Sequence, residues 1–450
     1  MLEAASASAA TAAAVRPGGR LSRILGYGAA RSAVELLLGA RGVALAAMLG
    51  PGALGVWSLL RVAQQYLIIA GLGVQRGLEV EAAAHRDAGG GRRNATAVRY
   101  AQAGNAFLLL SYGAVAILAL AAASLTADPV WRVVLYGIAA TAVVERLWFQ
   151  AATFLRAQAD VREFATLELA HAVLQLVIPL PLALAWGLNG AVAGLALAYG
   201  GGIALLWGRV PLRPVWCWRS TRAMIRIGLP VTVGILLQIL LGSTDRLVVA
   251  ALSGVETLGQ YAFAVSVASI GAAAGFIVRT AVFPEVFHAA RHGAPEAWVR
   301  DVERLLVTLS WSLSLLLGLL SLGIGPIVGH FLPEYTLAVG AARIYLFTGV
   351  AQGLMTVAML GSQAADRQQL IPPVTALAVA VSAALAWAAL RLGLGLEGLA
   401  ATSLATRLVY AVALAALGRP LASWRRELGF AGHLVLPVVT ACGLAQLIAG

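Results

Sequence analysis

The chain has 450 residues, 60% of them hydrophobic and 12% charged, with a mean hydropathy of +0.85. A water-soluble fold cannot bury that much apolar surface, so soluble enzymes and soluble binding modules are excluded. The formal charge is +12, carried by arginine alone because the chain has no lysine.

The first 20 residues are Ala/Ser-rich, with no basic start ahead of an apolar core. They do not read as a signal peptide and are expected to form a disordered cytoplasmic tail. Apolar runs then follow at residues 24–48, 54–77, 99–123, 131–155, 164–186, 189–208, 224–252, 258–283, 303–328, 338–361, 369–391 and 396–418. Each is long enough to cross a ~30 Å hydrocarbon layer as a helix. A further run, 430–448, is a possible thirteenth span, peripheral to a twelve-span core. Gly228 and Pro230 are expected to kink span 7. The expected class is an all-α polytopic membrane protein.

Of the 32 arginines, 23 fall in the tail and in alternate loops, 3 (Arg132, Arg343, Arg391) in the opposite loops, and six within spans. This is the positive-inside asymmetry, which places the N-terminus and the Arg-rich loops in the cytoplasm and argues against a nucleic-acid surface. Trp57, Trp131 and Trp186 fall near expected outer ends and Trp207 near an inner one, as interfacial anchors do. Cys217 and Cys442, the only cysteines, give no disulfide framework.

The chain repeats itself at an offset of about 203 residues. LLLGARGVALAAMLGPGALGVWSL at 36–59 resembles QILLGSTDRLVVAALSGVETLGQYAF at 238–263, with Gly50 and Gly55 matching Gly254 and Gly259. GLNGAVAGLALAY at 187–199 resembles GLEGLAATSLATR at 395–407. Two copies of a six-span unit have the same orientation, so their pseudo-two-fold runs along the membrane normal. The expected divisions are the tail 1–20, an N-lobe 21–208, a cytoplasmic linker 209–223, a C-lobe 224–418, and 419–450 as a loop with the possible extra span. Two such lobes leave a central cleft, the architecture of an alternating-access transporter.

The charges within spans are Arg31, Glu35 and Arg41 in span 1, Arg61 in span 2, Glu145 and Arg146 in span 4, Asp245 and Arg246 in span 7, and Arg407 in span 12. Ionisable groups at membrane depth cost at least ~2.5–3.5 kcal/mol and face a wet cavity or a partner. Counted this way, six arginines face three acids. The excess points to a cavity for anions, and the guanidinium fork suits phosphate oxygens. Arg31 and Arg61 are the leading candidates to bind it, with Arg41, Arg146, Arg246 and Arg407 behind them. Glu35 and Asp245 are candidates for ion coupling or gating. Arg41 and Asp245, aligned within one residue in the two repeats, are expected to approach across the cleft when the outer side closes. Local ion pairing is the alternative for each. Gln64, Gln65, Gln150, Gln175, Gln238 and Gln352 are either path-lining groups or helix–helix bonds. No phosphate-binding Gly-rich loop ending in lysine, no metal-ligand spacing and no acidic loop cluster is present, so neither enzyme chemistry nor a cofactor is expected.

Leu49-Gly50-Pro51, Leu54-Gly55-Val56-Trp57 and Gly71-Leu72-Gly73 resemble the first two spans of polysaccharide (O-antigen-type) flippases. These belong to the multidrug/oligosaccharidyl-lipid/polysaccharide exporter superfamily. The resemblance covers about residues 21–418. It implies export of an undecaprenyl-pyrophosphate-linked oligosaccharide across a bacterial inner membrane, by a monomeric transporter with intramembrane arginines in its cleft. It also implies a polysaccharide polymerase and a chain-length regulator as partners. A lipid II flippase and a cation-coupled multidrug extruder share the fold. A membrane enzyme such as a polymerase needs a sizeable outer loop, and the outer loops here are short.

The orientation is testable. With Cys in place of Gly90 or Gly395, each in a Cys-free background, an impermeant thiol reagent on intact cells should label position 395 and spare position 90. The reverse pattern would invert the topology.

Overall fold

The computed structural model describes residues 17–85, 94–158, 161–269, 295–418 and 424–449. Most of the N-terminal tail, the loop around Gly90, the far end of the expected span 258–283 and the start of the last loop lie outside the described residues. Among those described, the chain is helical, with short 3-10 turns and no strand. Its faces are named here by their loops: a basic face, where the Arg-rich loops lie, and a short-loop face opposite.

Helix α1 (Pro17–Tyr66) carries the first two passes in one run, folded at Gly50, whose φ of 70° and ψ of 170° break the helix ahead of Pro51. A 3-10 turn (Leu67–Gly71), then Leu72 and Gly73 with positive φ, interrupt the second pass before α2 (Val74–Ala84). Next come α3 (Ala95–Leu125), α4 (Pro129–Gln158), α5 (Val161–Val177) and α6 (Pro179–Leu205). The expected span 164–186 is thus split: α5 stops at Val177, Pro179 opens α6, and α6 breaks again at Trp186 and Gly187. Proline fits the first helical turn because it has no N–H to leave unpaired.

The second half repeats the plan with α7 (Trp218–Leu252), α8 (254–269), α9 (Pro295–Phe331), α10 (Val339–Leu346), α11 (Thr348–Ala364), α12 (Ile371–Arg391) and α13 (Gly395–Leu417). The expected kink in α7 does not break it: the helix runs through Pro230 with no non-helical residue. The thirteenth expected span is a helix, α14 (Trp424–Ala449), seated mainly on α9. Nine stretches among the described residues are long and apolar enough to cross a membrane, and one of them, Ala30–Gly71, includes the fold at Gly50 and so holds two passes.

Polarity is inverted relative to a soluble protein. Leu110, Ile117, Leu118, Leu184, Leu315 and Leu319 stand exposed, while Gln64, Asn105, Glu145, Gln150 and Asp245 are buried. That is the distribution a hydrocarbon solvent selects. The expected interfacial anchors Trp131, Trp186 and Trp207 are exposed. Trp57 is buried in the core instead, because its face of α1 packs inward. Arg343, expected in an outer loop, is buried in α10.

Two six-helix lobes are related by the repeat, and their meeting point shows the symmetry directly. Gly50 (φ 70°) and Gly254 (φ 82°) are the two turn glycines, 204 residues apart. Five residues after Gly50, Gly55 lies against the Val255 carbonyl; five after Gly254, Gly259 lies against the Pro51 carbonyl. Each contact is the image of the other. At both glycines an added Cβ would fall well inside the 3.0 Å that Cβ atoms keep from other atoms, and the obstacle is backbone. Toward the basic face, Gly73 and Gly77 meet Gly228 and Met224 of α7 in the same manner. Small residues permit this approach, and helix association in lipid depends on it.

Gly55→Ala and Gly259→Ala should therefore each destabilise the protein by about 1–3 kcal/mol through overpacking. Gly52→Ala, where a Cβ meets nothing within 4 Å, should be neutral. Thermal unfolding in detergent decides it; equal behaviour of all three variants would refute the interlobe contact.

Candidate functional site

The intramembrane charges gather into three groups. The first lies in the basic-face half of the N-lobe. Arg31 and Glu35 share one face of α1, four residues apart, and form an ion pair. Arg31 also reaches Glu168 of α5 at 2.5 Å. Glu168 lies within the expected span 164–186, and it carries the same signal as the acids noted there. With it counted, six arginines face four acids. Arg31, expected to bind anions, is already held between two carboxylates, and Glu35 is committed to it.

The second group is the centre of the N-lobe. Glu145 on α4 accepts from the Tyr199 hydroxyl of α6 at 2.9 Å and from Arg61 of α1 at 3.3 Å. Arg61 also donates to the Gln64 side chain at 2.6 Å. Arg146, the next residue, faces another way, since adjacent helical residues diverge by about 100°. It donates to the Gln64 backbone carbonyl at 2.6 Å and lies over the rings of Tyr112 and Phe149. The Gln64 amide bonds Thr141. Arg41 donates to Gln175 at 2.6 Å, and Gln175 in turn contacts His171, which packs on Trp148. For Gln64 and Gln175 the helix–helix role is therefore the observed one. Gln150 is buried with neither side-chain polar atom bonded.

The third group is the centre of the C-lobe. One oxygen of Asp245 accepts three hydroxyls: Tyr261 of α8 at 2.8 Å, Tyr345 of α10 at 2.9 Å and Ser403 of α13 at 3.0 Å. Arg407 of α13 donates to the Tyr345 hydroxyl at 2.8 Å and stacks over its ring. Arg246 and Arg407 both donate to the Gly242 carbonyl. The hydroxyls left no mark in the sequence that separates them from other buried tyrosines and serines.

The expected approach of Arg41 to Asp245 is not seen, although the short-loop face is closed at Gly55 and Gly259. Each is bonded inside its own lobe, and no bond joins them. The lobes are instead linked by Tyr66 to Ser243 at 2.6 Å and by the Tyr335 hydroxyl to the Ala46 carbonyl at 3.0 Å. Arg246, three residues beyond Ser243, lies within electrostatic range of Tyr66.

Residues 45–287, more than half of the chain, match the family described as "Polysaccharide biosynthesis protein". The chain belongs to this family. No curated protein matches it. Among solved structures, it is similar to one described as the inward-facing conformation of a multidrug resistance MATE family transporter of the MOP superfamily. The TM-score is 0.72 at 14% identity, over 89% of this chain and 95% of that one. A structure described as the outward-facing conformation of such a transporter gives 0.60 at 17% identity, over 91% and 96%. A MOP superfamily transporter from Pyrococcus furiosus Vc1, described as having reverse polarity of its binding pocket, gives 0.51 at 15%, also over 91% and 96%. At these identities the likeness establishes the fold alone: this chain is a multi-pass helical membrane protein folded like those transporters.

The Asp245 cluster predicts an order of damage. Asp245→Ala leaves three hydroxyls and the Arg246 backbone N–H without their acceptor, removes the negative charge beside two arginines, and should cost about 3–5 kcal/mol. Tyr345→Phe removes one donor and should cost about 1–3 kcal/mol. Protein yield and thermal unfolding in detergent read both, and a benign Asp245→Ala would contradict the cluster's structural role.

Proposed function

We propose that this member of the polysaccharide biosynthesis family is a flippase. It carries the pyrophosphate head group of a lipid-linked saccharide from the basic face to the short-loop face of a bacterial inner membrane, with its N-terminus in the cytoplasm. The units that rock are residues 21–208 and 224–418, joined by 209–223. The observation that carries this reading is the charge in the two central groups. Arg41, Arg61, Arg146, Arg246 and Arg407 face two carboxylates, Glu145 and Asp245, which leaves an excess of three positive charges beside the interlobe seam.

The groups differ in reach. Arg41 and Arg146 are buried, while Arg61, Arg246 and Arg407 keep part of their surface open. These last three are the phosphate-contacting candidates, and the buried pair supplies field from behind. Arg31, flanked by Glu35 and Glu168, serves structure in this scheme. An anion moving outward gains ~2.3 kcal/mol per charge per 100 mV of inside-negative potential. The closed short-loop face and the higher likeness to an inward-facing transporter support a loading state. A multidrug extruder shares the fold, but a cationic drug meets repulsion from the same excess.

The test is surface polysaccharide in a flippase-deficient cell, normalised to protein level. Arg61→Ala, Arg246→Ala and Arg407→Ala should each cut export tenfold or more. The corresponding Lys variants should retain part of it, because an ammonium keeps the charge but loses the bidentate fork. Arg31→Ala should act mainly by lowering protein level. Normal export by all three Ala variants, or extrusion of a cationic dye, would remove the proposal.

A further inference from the structure

The linker and the first turns of α7 differ in charge from the rest of the basic face. From Leu169 to Thr244 the chain contains no acid, and its five arginines, Arg209, Arg213, Arg219, Arg222 and Arg226, all fall between 209 and 226. The other arginine-bearing stretches of this face have acids among or beside their arginines, such as Glu79, Asp160, Asp301, Asp366 and Glu427. Orientation does not require the difference, because acids count for little in the positive-inside bias.

Arg219, Arg222 and Arg226 stand at i, i+3 and i+7, which makes one stripe on α7, about 10 Å long. All three are exposed. They lie roughly opposite Thr221, Met224 and Gly228, which are buried where α7 packs on α2 and α12. The placement is unfavourable by itself, since like charges at this spacing repel and a helix N-terminus repels cations. No ion pair among the described residues offsets it. By contrast, Arg76 and Arg156 face Glu79, and Arg209 faces Glu163. On α2, Glu81 is engaged by His85 and Tyr100. Helices α3 and α12, which also pack on α7, contain no acid.

Depth and shape narrow the occupant. Trp207, Val215, Trp216 and Trp218 are exposed, and the rings of Trp216 and Trp218 stack with centroids 6.3 Å apart. Exposed tryptophans gathered in this way mark the headgroup layer. The linker is pinned to α3: the Asn105 amide donates to the Pro211 carbonyl at 2.7 Å, and the Val215 N–H to the Gln102 carbonyl at 3.1 Å. A fixed, acid-free row of guanidinium groups at headgroup depth matches phosphate oxygens, and the exposed indoles beside it match acyl chains. We propose that Arg219, Arg222 and Arg226, with Trp218 one turn before Arg222, bind the phosphate of an anionic phospholipid in the basic-face leaflet. Arg226 is two residues from Gly228, whose backbone meets Gly73 of the other lobe. The bound lipid therefore braces α7 where the lobes touch toward the basic face.

The experiment uses the full chain in an uncharged detergent, with phosphatidylglycerol and phosphatidylcholine as probes, and reads binding by native mass spectrometry and thermal stability. Phosphatidylglycerol should bind saturably, at least tenfold more tightly than phosphatidylcholine, and raise the unfolding temperature. Glycerol 3-phosphate, which has the phosphate without the chains, should bind at least tenfold more weakly than the anionic lipid. The Arg219→Gln/Arg222→Gln/Arg226→Gln variant, confirmed monodisperse, should lose the preference between the two lipids. Arg222→Gln alone should weaken it at least threefold, and decides the matter if the triple variant does not fold. Arg76→Gln/Arg156→Gln/Arg209→Gln removes as much charge from the same face and should keep the preference. Equal binding of the two lipids, or an undiminished preference in the α7 variants, would overturn the assignment. So would loss of the preference in the control variant, or glycerol 3-phosphate binding as tightly as the lipid. The assay involves no cargo and no transport, so its failure leaves the flippase reading standing, and the converse holds.

Discussion

Each lobe is organised around one buried carboxylate. In hydrocarbon, an ion without a partner is costly, and removing one member of a buried pair exposes that cost. Glu145 answers this in the N-lobe by drawing Arg61 and Tyr199 onto α4, and Asp245 does so in the C-lobe by drawing hydroxyls from α8, α10 and α13 onto α7. In both, the next residue is an arginine that turns away to a backbone carbonyl. The bonds cross between helices far apart in sequence, so the acids fix which helices share a bundle. The apolar faces, wetted by lipid, cannot do so, because lipid tails are as apolar as leucine.

Between the lobes the chemistry changes. The seam rests on glycine backbones at Gly55, Gly259, Gly73 and Gly228, with the hydrogen bonds from Tyr66 and Tyr335 beside them. Hydrogen bonds in membrane proteins are worth about 0.6 kcal/mol on average. A seam made of close van der Waals contact and weak bonds can part without disturbing either carboxylate cluster. Rigid lobes on a separable seam are the mechanical requirement for alternating access, and here the two properties come from different residue types: ionised and hydroxyl groups within lobes, glycines between them.

Much of this was legible in the sequence. The spans follow from apolar length, and the two lobes from the repeat; Gly50 and Gly254 both have positive φ. What escaped was partnership. In the sequence Arg31 has the marks of an anion ligand, yet Glu168, 137 residues away in the chain, lies beside it in the structure. The Arg41–Asp245 alignment reflected repeat symmetry, which places equivalent residues in equivalent lobes and says nothing of contact between them. The break at Val177–Pro179 escaped because an apolar run reads the same whether or not its helix is continuous. Trp57 is buried and not interfacial because hydropathy marks depth but not the side of a helix that meets a neighbour.

The charge along the molecule runs in one direction. Arg-rich loops crowd one face, arginine excess flanks the seam, and Glu256, Glu334 and Glu397 stand on the opposite face. For an anionic head group, the proposed cargo, this ordering favours entry at the basic face and an intermediate hold at the seam. It also denies the head group a site at the exit. Conduction of any bound species requires attraction strong enough to load and weak enough to release. An arginine held only by a neutral partner or a carbonyl binds phosphate strongly, whereas one already facing a carboxylate binds it less. Glu145 and Asp245 thus do more than hold helices. In the proposed scheme, cancelling two of five central charges keeps the seam from becoming a trap, and the acids at the exit complete the release. In that scheme the two acids set the balance: five uncompensated arginines would load the proposed head group and hold it, while none would not load it at all.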